Sequence, residues 1–431
     1  MADNDSALKR IVVVGGGVGG LALVSDLGRS LGRQKRAHIT LIDRGPLHVW
    51  KPMLHEFAAG TADPHDKGLA FPVQARRNHF AFVPGEMASL DHASRAITIG
   101  FPGTFDHRPP QRTVRYDRLV LALGSRANDF GTPGAHQHCH FIDDLRNALE
   151  FNEMLRTEVA KQVFTQGPIR VAIVGGGATG VELAAEIRKL IEVGASFGAS
   201  DLEKQLDVTL IEANSRILKA IDETGAARAA ERLKGLGVRI VCNQRVESVD
   251  ERGFELPGGE RIDAALKVWA AGVRAGQLLS DARGLAVNRS GQVQVDAWLR
   301  AKDVDGIYAL GDCSSLVPDG AEAPLPPTAQ VASQQAAYLA KAIMDDIQGK
   351  PSEPFHYNDR GSLVSLGAYG SYGSLPKKGF VPSILISGMW ASMLHPLFFR
   401  IHMFRLLGPI LGCVGWLRDG LTSWLRPRIK F

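Results

Sequence analysis

The amino-acid sequence predicts an α/β fold with two similar parallel-sheet units and a C-terminal region of different character. In each unit, a β-branched apolar run leads into a glycine motif and then into an apolar helix pattern. The two motifs lie 160 residues apart, at Gly15, Gly17 and Gly20, and at Gly175, Gly177 and Gly180. Each is followed by a second apolar strand that ends in an acid, Asp43 in the first copy and Glu212 in the second.

The G-x-G-x-x-G spacing at the end of a strand predicts a turn that binds a dinucleotide. The first glycine allows a tight turn, the second lets the backbone approach a pyrophosphate, and the third lets helix and strand pack closely. The N-terminus of the following helix attracts phosphate. One such motif is weak evidence, because glycine-rich turns are common. Two copies, each with a downstream acid suited to a ribose hydroxyl, predict two Rossmann-like dinucleotide-binding domains.

The elements between these motifs follow in order along the chain. Residues 80–100 alternate apolar and polar side chains, as antiparallel strands do. A buried strand ends at Gly124, and residues 143–164 have helical periodicity with Asp143 as the candidate N-cap. The second copy closes with an apolar strand that ends at Gly272.

The third part of the chain contains a strand that ends in Gly311-Asp312. A helix is predicted from about Ala329 to Ile347, with Thr328 as its cap. The order of elements predicts that the first dinucleotide-binding domain consists of residues 1–140 and 279–348, the second of 141–278, and a C-terminal amphipathic membrane-association region of 349–431.

Composition and charge exclude several kinds of protein. Apolar residues make up 45% and charged residues 22%, as in ordinary globular proteins. The net charge of +5 arises in the last 61 residues, which hold eight Lys/Arg and one Asp, so nucleic acid is not a predicted partner. The four cysteines show no C-x-x-C and no metal-ligand spacing, so reduced thiols and no metal are predicted. The N-terminus resembles neither a signal nor a transit peptide, which favours a cytoplasmic body.

The C-terminal region raises the question of a membrane. Residues 379–399 carry no formal charge, but two prolines make them a poor membrane span. Beyond Pro409, one helical face is apolar and the opposite face carries Asp419. The apolar face consists of Ile410, Val414, Leu417, Leu421, Trp424 and Leu425. Basic flanks and tryptophans favour a helix in the membrane interface, with a span, packing on the protein's own core, or packing in a homodimer as alternatives.

Several short motifs carry a family resemblance. They are Gly311-Asp312, Trp269-Ala-Ala-Gly272, Trp50-Lys-Pro-Met-Leu-His-Glu-Phe-Ala-Ala-Gly60, Ala329-Gln-Val-Ala-Ser-Gln-Gln335 and Arg426-Pro-Arg-Ile-Lys430. Together with the two glycine motifs, they resemble the bacterial type II NADH dehydrogenases, which are non-pumping, membrane-surface NADH:quinone oxidoreductases. The resemblance covers nearly the whole chain, and the basic ending is most similar to the enterobacterial branch.

The resemblance implies FAD at the first glycine motif and NADH at the second. The implied FAD site comprises Gly15, Gly17, Gly20, Asp43, Gly124, Gly311, Asp312 and Ala329, and the implied NADH site comprises Gly175, Gly177, Gly180, Glu212 and Gly272. Glu212 would accept a hydrogen bond from the ribose 2′-hydroxyl and repel a 2′-phosphate, which favours NADH over NADPH. Arg216 nearby either accommodates a 2′-phosphate or is an ordinary surface arginine.

Two residues are implied to be catalytic. Glu182 matches a family glutamate near the nicotinamide and the flavin, whereas the alternative is an acid in the first helical turn that complements the helix dipole. Gln330 matches the family's Ala-Gln pair beside the quinone headgroup. Some relatives have histidine where this chain has Ser333, so the proton donor stays open.

The implied function is transfer of a hydride from NADH to FAD and of two electrons to ubiquinone or menaquinone, without proton pumping. The expected location is peripheral, or monotopic, on the cytoplasmic side of the inner (plasma) membrane, with the lipid surface as partner. The alternatives are a soluble NADH-dependent flavoprotein reductase of a protein electron carrier and a non-catalytic nucleotide-sensing interaction protein. The basic, apolar C-terminal region favours the membrane enzyme over the soluble reductase, whereas turnover with a quinone would exclude the nucleotide-sensing protein.

Overall fold

A computed structural model describes residues 8–101, 110–196, 201–375, 384–388 and 394–425 of the chain. The chain divides into two compact units, each assembled from separate segments. The first unit comprises Met1–Lys51, Gly68–Arg126 and Val273–Asn358, and the second comprises Pro52–Lys67, Ala127–Gly272 and Asp359–Phe431.

The first unit contains a five-stranded parallel sheet whose strand order reverses beside the first glycine motif. In spatial order its strands are Ile307–Ala309, Arg118–Leu121, Lys9–Val14, Ala37–Asp43 and Ala81–Pro84. The last four residues of Lys9–Val14 are buried, as expected for a strand covered on both faces. Ligands of open α/β sheets bind outside the carboxyl ends of the strands at such a reversal. The sheet therefore places the glycines after Val14 where a dinucleotide is expected.

Helices and a small antiparallel sheet complete the first unit. Val18–Leu27 and Ala329–Ile347 pack against each other. Glu86–Asp91, Ala96–Gly100 and Gln111–Arg115 form the antiparallel sheet. The antiparallel prediction for residues 80–100 is confirmed from residue 86 onward. It is wrong for Ala81–Pro84, which pairs in parallel at the sheet edge, where a proline that lacks an N–H donor is tolerated.

The second unit repeats the parallel architecture. Its strands, in spatial order, are His140–Phe141, Leu266–Trp269, Ile169–Val174, Leu206–Ile211 and Val238–Val241. Its longer helices are Leu145–Thr165, Ala178–Ser196 and Glu223–Gly235, and a small antiparallel sheet is formed by Ser248–Val249, Gly253–Glu255 and Arg261–Asp263. Two parallel sheets with the same strand–glycine–helix entry confirm the predicted α/β fold with two Rossmann-like units.

The N-cap predicted for the helix after residue 143 is wrong by one residue. Asp144 is the N-cap, and its side chain accepts the backbone N–H of Asn147 at 2.9 Å. The Asp143 side chain instead accepts the N–H of Ala127 at 2.6 Å. Two adjacent aspartates both suit an N-cap, and the connection to Ala127 selects between them.

The C-terminal segment of the second unit has strands and one broken helix. Strands Ser362–Ser365, Ser371–Leu375 and Ile384–Gly388 form an antiparallel sheet. The helix Leu394–Leu425 is interrupted at Gly408, whose φ of 78° is left-handed, directly before Pro409. This break confirms that a helix segment begins at Pro409. The motif at residues 426–430 and the side chains of Trp424 and Leu425 lie outside the residues and side chains that the structure describes.

Shorter elements connect these parts. The short helical segments are Gly28–Gly32, Lys51–Met53, Leu54–Ala59, Pro64–Lys67, Phe71–Asn78, Ala135–His138, Leu202–Gln205, Pro257–Gly259, Gln277–Asp281, Gly311–Cys313 and Gly367–Tyr369. The short strands are Leu47–His48, Leu69–Ala70, Arg126–Ala127, Val273–Arg274, Val293–Gln294 and Ser314–Ser315.

Candidate cofactor and active site

The first glycine motif has the geometry of a phosphate-binding turn. Gly15 has a φ of 104°, and a Cβ there would lie 2.2 Å from the carbonyl oxygen of Ala122. A Cβ on Gly20 would lie 1.8 Å from the Gly15 oxygen, so only glycine allows this approach of helix to strand. At Gly17 nothing lies within 4 Å of an added Cβ, so this side of the turn is open. The turn therefore fits a pyrophosphate at the start of the helix Val18–Leu27.

The second glycine motif has the same geometry. Gly175 has a φ of 111°, and a Cβ on Gly180 would lie 2.1 Å from the Gly175 oxygen. Gly177 again faces open space. Gly272, which follows the neighbouring strand, has a φ of 65° and lies directly against the ring of Phe130. The second unit therefore offers a separate pyrophosphate cradle of its own.

The two downstream acids bind the glycine loops directly. The Asp43 carboxylate accepts the Gly16 N–H at 2.6 Å and the Gly45 N–H at 2.9 Å. In the same way, the Glu212 carboxylate accepts the Gly176 N–H at 2.6 Å. Each carboxylate thus lies beside its phosphate-binding turn, and its oxygens retain lone pairs that can accept a ribose hydroxyl.

Arg216 is held by the backbone of its own loop. Its guanidinium donates to the carbonyl oxygens of Leu218 at 3.0 Å and Ile221 at 3.2 Å. A guanidinium bound in this way is directed toward carbonyl groups, which weakens the alternative that it recognises a 2′-phosphate.

A polar cluster forms around Asp312 in the first unit. Ser125, next to Gly124, donates its hydroxyl to the Asp312 carboxylate at 2.7 Å. The Lys51 ammonium donates to the Ser125 carbonyl at 2.8 Å and lies 3.8 Å from the same carboxylate. This cluster brings the predicted Gly124 and Asp312 together and adds Lys51 and Ser125 to them.

The first glycine motif, the Gly311 turn and the helix Ala329–Ile347 meet at one place. A Cβ on Gly19 would lie 2.3 Å from the Leu310 side chain and 3.1 Å from the Ala332 carbonyl oxygen. The Gly311 N–H donates to the buried Gln335 side chain at 2.6 Å. Ala329 begins the helix, and Gln330 is its second residue. The N-terminal turn of this helix therefore belongs to the same corner of the first unit as the glycine motif.

The predicted cap of that helix is confirmed. The Thr328 side chain accepts the Val331 N–H at 3.2 Å, and the helix ends at Ile347 as the sequence predicts. Because Thr328 satisfies the Val331 N–H, the remaining first-turn N–H groups carry the positive end of the helix dipole.

Glu182 lies beyond the first turn of its helix, and its carboxyl group is buried. The helix begins at Ala178, so the alternative of an acid in the first turn is wrong. The side chain of Glu182 is 9% exposed, one oxygen accepts the Ser365 N–H at 2.9 Å, and the other lies 3.3 Å from Nδ1 of His55. Burial raises the pKa of Glu182 to about 8, against the opposing effect of the Ser365 hydrogen bond. A carboxyl group with such a pKa holds a proton at neutral pH.

A second acid, the half-buried Glu56, adjoins this site. Burial, together with the charge of Glu186, raises the pKa of Glu56 to about 7. Glu186 is itself buried, one turn beyond Glu182, and lies 3.5 Å from the Lys189 ammonium. The helices Leu54–Ala59 and Ala178–Ser196 thus contribute carboxyl groups to one region of the second unit.

Sequence reasoning missed four of these partners. His55, Ser365, Ser125 and Gln335 received no role, although His55 and Gln335 lie within the family-like motifs. Each acts through a contact with a distant residue, and no local pattern marks such a contact. The described residues contain no cluster of metal-binding side chains, and all four cysteines are free.

The C-terminal helix carries an exposed apolar strip. Its members are Ile410, Val414, Leu417 and Leu421, and the helix also exposes the apolar side chains of Leu397, Phe398, Ile401, Leu411 and Trp416. On the opposite side, the Asp419 carboxylate forms ion pairs with the Lys67 ammonium at 2.8 Å and the Arg400 guanidinium at 2.7 Å. Within the described chain, Leu397–Leu421 is one helix that is long and apolar enough, by length and composition alone, to cross a membrane. An apolar strip of this size on the surface is typical of a membrane or protein interaction site.

Comparisons with known proteins agree with this geometry. Residues 9–336 match the family model of the pyridine nucleotide-disulphide oxidoreductases. The chain is 35% identical to the type II NADH:quinone oxidoreductase of Haemophilus influenzae, with 98% of this chain and 100% of the relative covered. It is 30% identical to the Staphylococcus aureus enzyme of the same name, with 85% and 89% covered.

A solved structure shows the same fold. NDH2 of Plasmodium falciparum, in complex with NADH, superposes with a TM-score of 0.80 at 20% identity, over 98% of this chain and 100% of that one. From the family model and the two bacterial relatives, this chain belongs to the pyridine nucleotide-disulphide oxidoreductases and, within them, to the type II NADH:quinone oxidoreductases.

Proposed function

We propose that this membrane-associated oxidoreductase binds FAD in the first unit and NADH in the second, and that Glu182 and Gln330 serve the reduction of the quinone. The observation that carries the proposal is the pair of glycine turns, each hydrogen-bonded to its own downstream carboxylate, together with the buried carboxyl group of Glu182. When bound, FAD supplies the two-electron redox chemistry that connects NADH with a quinone.

The stoichiometry of the reaction defines what the protein must add. A hydride carries two electrons and one proton, whereas reduction of a quinone to a quinol takes two electrons and two protons. One further proton must therefore come from the protein or from solvent. Glu182 holds a proton at neutral pH, and one oxygen is occupied by the Ser365 N–H, so its proton lies on the oxygen that faces His55. We assign the proton-supplying role to this carboxyl group.

Gln330 has a different role in the proposal. It is the second residue of a helix whose N-terminus carries partial positive charge, and its amide donates hydrogen bonds. Such a group can orient a quinone carbonyl and stabilise the negative charge that develops on it during reduction.

The side and depth of membrane association are also proposed. The excess of Lys and Arg over acids in the last 61 residues and the exposed apolar strip support attachment to the cytoplasmic leaflet of the inner membrane as a monotopic protein. Ubiquinone or menaquinone would then enter from the lipid. The apolar strip also suits a contact in a homodimer. Vesicle binding tests attachment to lipid, and light scattering of the solubilised protein tests whether it is a dimer.

The proposal is tested by reduction and reoxidation of the purified protein. Anaerobic NADH should bleach the flavin absorbance, a soluble quinone should restore it, and NADPH should bleach it far more slowly. A protein that binds both nucleotides without turnover would instead be the nucleotide-sensing alternative. Turnover only with a protein electron carrier would support the soluble reductase.

Replacement of Glu212 by glutamine should narrow the preference for NADH over NADPH by about 10- to 100-fold in kcat/KM. Glutamine keeps an oxygen for the Gly176 N–H but has no negative charge. In Glu212 that charge repels a 2′-phosphate and also strengthens the hydrogen bond to the 2′-hydroxyl, which together amount to about 1.5–3 kcal/mol. Steady-state kinetics with both nucleotides measure the change. Glu223→Gln, at a helix start in the same unit, is the control, and an unchanged preference in Glu212→Gln would contradict the assignment.

Replacement of Gln330 by leucine should slow reoxidation by quinone by about 10- to 100-fold, the range of a lost hydrogen bond to developing charge. Reduction by NADH should change little. Stopped-flow absorbance separates the two half-reactions, and Gln334→Leu on the same helix is the control, because that side chain bonds the backbone of Asn358. A variant that mainly loses the NADH-driven step would remove Gln330 from the quinone site.

A further inference from the structure

His48 is a buried histidine that touches the first glycine motif. Its side chain is 3% exposed, and Nδ1 lies 2.8 Å from the carbonyl oxygen of Gly16. A carbonyl oxygen only accepts hydrogen bonds, so Nδ1 carries the hydrogen. Burial lowers the pKa of His48 to about 4, against the raising effect of this bond, so the ring is neutral at physiological pH.

The hydrogen bond acts on the peptide group that joins two glycines, Gly16 and Gly17. Gly15, Gly16 and Gly17 are consecutive, and glycine backbones populate a wide range of φ and ψ. The peptide bond is planar and trans, so the Gly16 C=O and the Gly17 N–H point in opposite directions within one rigid group. By holding the Gly16 carbonyl, His48 also determines the direction of the Gly17 N–H.

Two side chains hold Gly16 from both of its peptide groups. Asp43 accepts the Gly16 N–H at 2.6 Å, and His48 donates to the Gly16 carbonyl at 2.8 Å. The ring of Phe71 lies against the Gly16 Cα, because a Cβ there would be 2.3 Å from the ring. The Phe71 and His48 rings meet edge to face, with centroids 6.4 Å apart.

The second glycine motif holds the equivalent carbonyl by a different group. The Gly176 N–H donates to Glu212, as Gly16 does to Asp43. The Gly176 carbonyl, however, accepts the backbone N–H of Leu218 at 2.7 Å. The carbonyl is thus held by a side chain in the first unit and by a main-chain N–H in the second, so a change of side chain that keeps the backbone N–H groups removes only the first arrangement.

We propose that His48 is a positioning residue for the cofactor of the first unit, where it orients the Gly16–Gly17 peptide so that the Gly17 N–H faces the pyrophosphate. This inference rests on the assignment of FAD to that unit in the proposed function. His48 does not need to touch the cofactor, because it acts through the backbone of the turn.

The test compares His48→Leu with His48→Asn in the full-length protein. Asparagine can place an amide N–H near the position of Nδ1, whereas leucine cannot donate. We expect His48→Leu to raise the FAD dissociation constant by about tenfold or more, the range of one buried hydrogen bond, and His48→Asn to recover most of this loss. Flavin fluorescence during release from the holoprotein and during reconstitution measures the affinity.

NADH affinity is the internal reference. It should stay the same in both variants, because the Gly176 carbonyl keeps its backbone donor. Unchanged affinity for both FAD and NADH in His48→Leu, or an equal loss in His48→Leu and His48→Asn, would overturn the positioning role. If His48→Leu weakened NADH binding and left FAD binding unchanged, with recovery in His48→Asn, the positioning role would stand and the proposed assignment of cofactors to units would fail. Thermal unfolding of the flavin-free proteins distinguishes these outcomes from simple misfolding, which His48→Asn should avoid.

Discussion

Glu182→Gln should lower quinone-dependent NADH oxidation by about 100-fold, within the range of general acid–base catalysis. Glutamine has the size of the protonated acid and keeps an oxygen for the Ser365 N–H, but it cannot release a proton to a quinone. Stopped-flow absorbance should locate the loss in reoxidation by quinone, with reduction by NADH largely retained. Glu186→Gln, a buried acid one turn further along the same helix, is the matched control and should lose much less activity.

The pH dependence gives this prediction a second readout. The pKa of Glu182 is raised to about 8, so its carboxyl group is protonated at neutral pH and loses its proton as the pH rises through about 8. Quinone reduction by the wild type should therefore decline on the alkaline side, and Glu182→Gln should lack this decline. The neighbouring Glu56, whose pKa is raised to about 7, contributes to the same profile. An identical alkaline decline in both proteins would assign the titration to another group.

The ionisation of Glu182 also predicts how the stability of Glu182→Gln differs from that of the wild type at different pH values. The folded-state pKa lies above the ordinary value of 4.5, so the folded protein binds the proton more tightly and loses stability as the pH rises from about 4.5 to 8. Glutamine does not ionise. The Tm of Glu182→Gln should therefore match the wild type near pH 5 and exceed it at pH 9, which separates lost catalysis from lost folding.

Three charges on the exposed strip of the C-terminal helix should release the protein from membranes. Ile410, Leu417 and Leu421 lie on one helical face and are 78%, 70% and 61% exposed. Full burial of each side chain contributes about 1.5–3 kcal/mol, and less in the membrane interface, so losing three should weaken vesicle binding by on the order of 100-fold or more. Sedimentation with anionic vesicles measures the binding of the triple variant Ile410→Glu, Leu417→Glu, Leu421→Glu.

Exposed apolar residues elsewhere in the same unit provide the matched control. Val163 and Phe164, which are 46% and 89% exposed, lie at the end of the helix Leu145–Thr165. Glutamate at both positions should leave vesicle binding unchanged. Turnover of the triple variant with a short-chain quinone in detergent should persist, while reduction of a long-chain quinone in the bilayer should fall. Full vesicle binding by the triple variant would place the attachment in residues 379–408.

The local patterns predicted the parts of the molecule that depend on local chemistry. The glycine turns require a strand, a glycine spacing and a helix in immediate succession, and all three are visible in the sequence at 11–20 and 169–180. The Thr328 cap depends only on the Thr328 side chain and the backbone of the next three residues, so the start of the helix Ala329–Ile347 is also a local feature. The prediction of Asp143 as the N-cap is wrong, because two adjacent aspartates can both cap the helix and a distant backbone N–H, that of Ala127, selects between them.

The sequence by itself determined the α/β class, the two dinucleotide turns with their acids, and the apolar basic end, because each is a periodic or contiguous pattern. Only the tertiary structure showed that Glu182 is buried between His55 and Ser365, the latter 183 residues away. It alone showed that His48 holds the Gly16 carbonyl. The physical reason is that a pKa and a backbone orientation depend on desolvation and hydrogen bonds from residues far apart in the chain, and folding brings these together only through the packing of the whole unit.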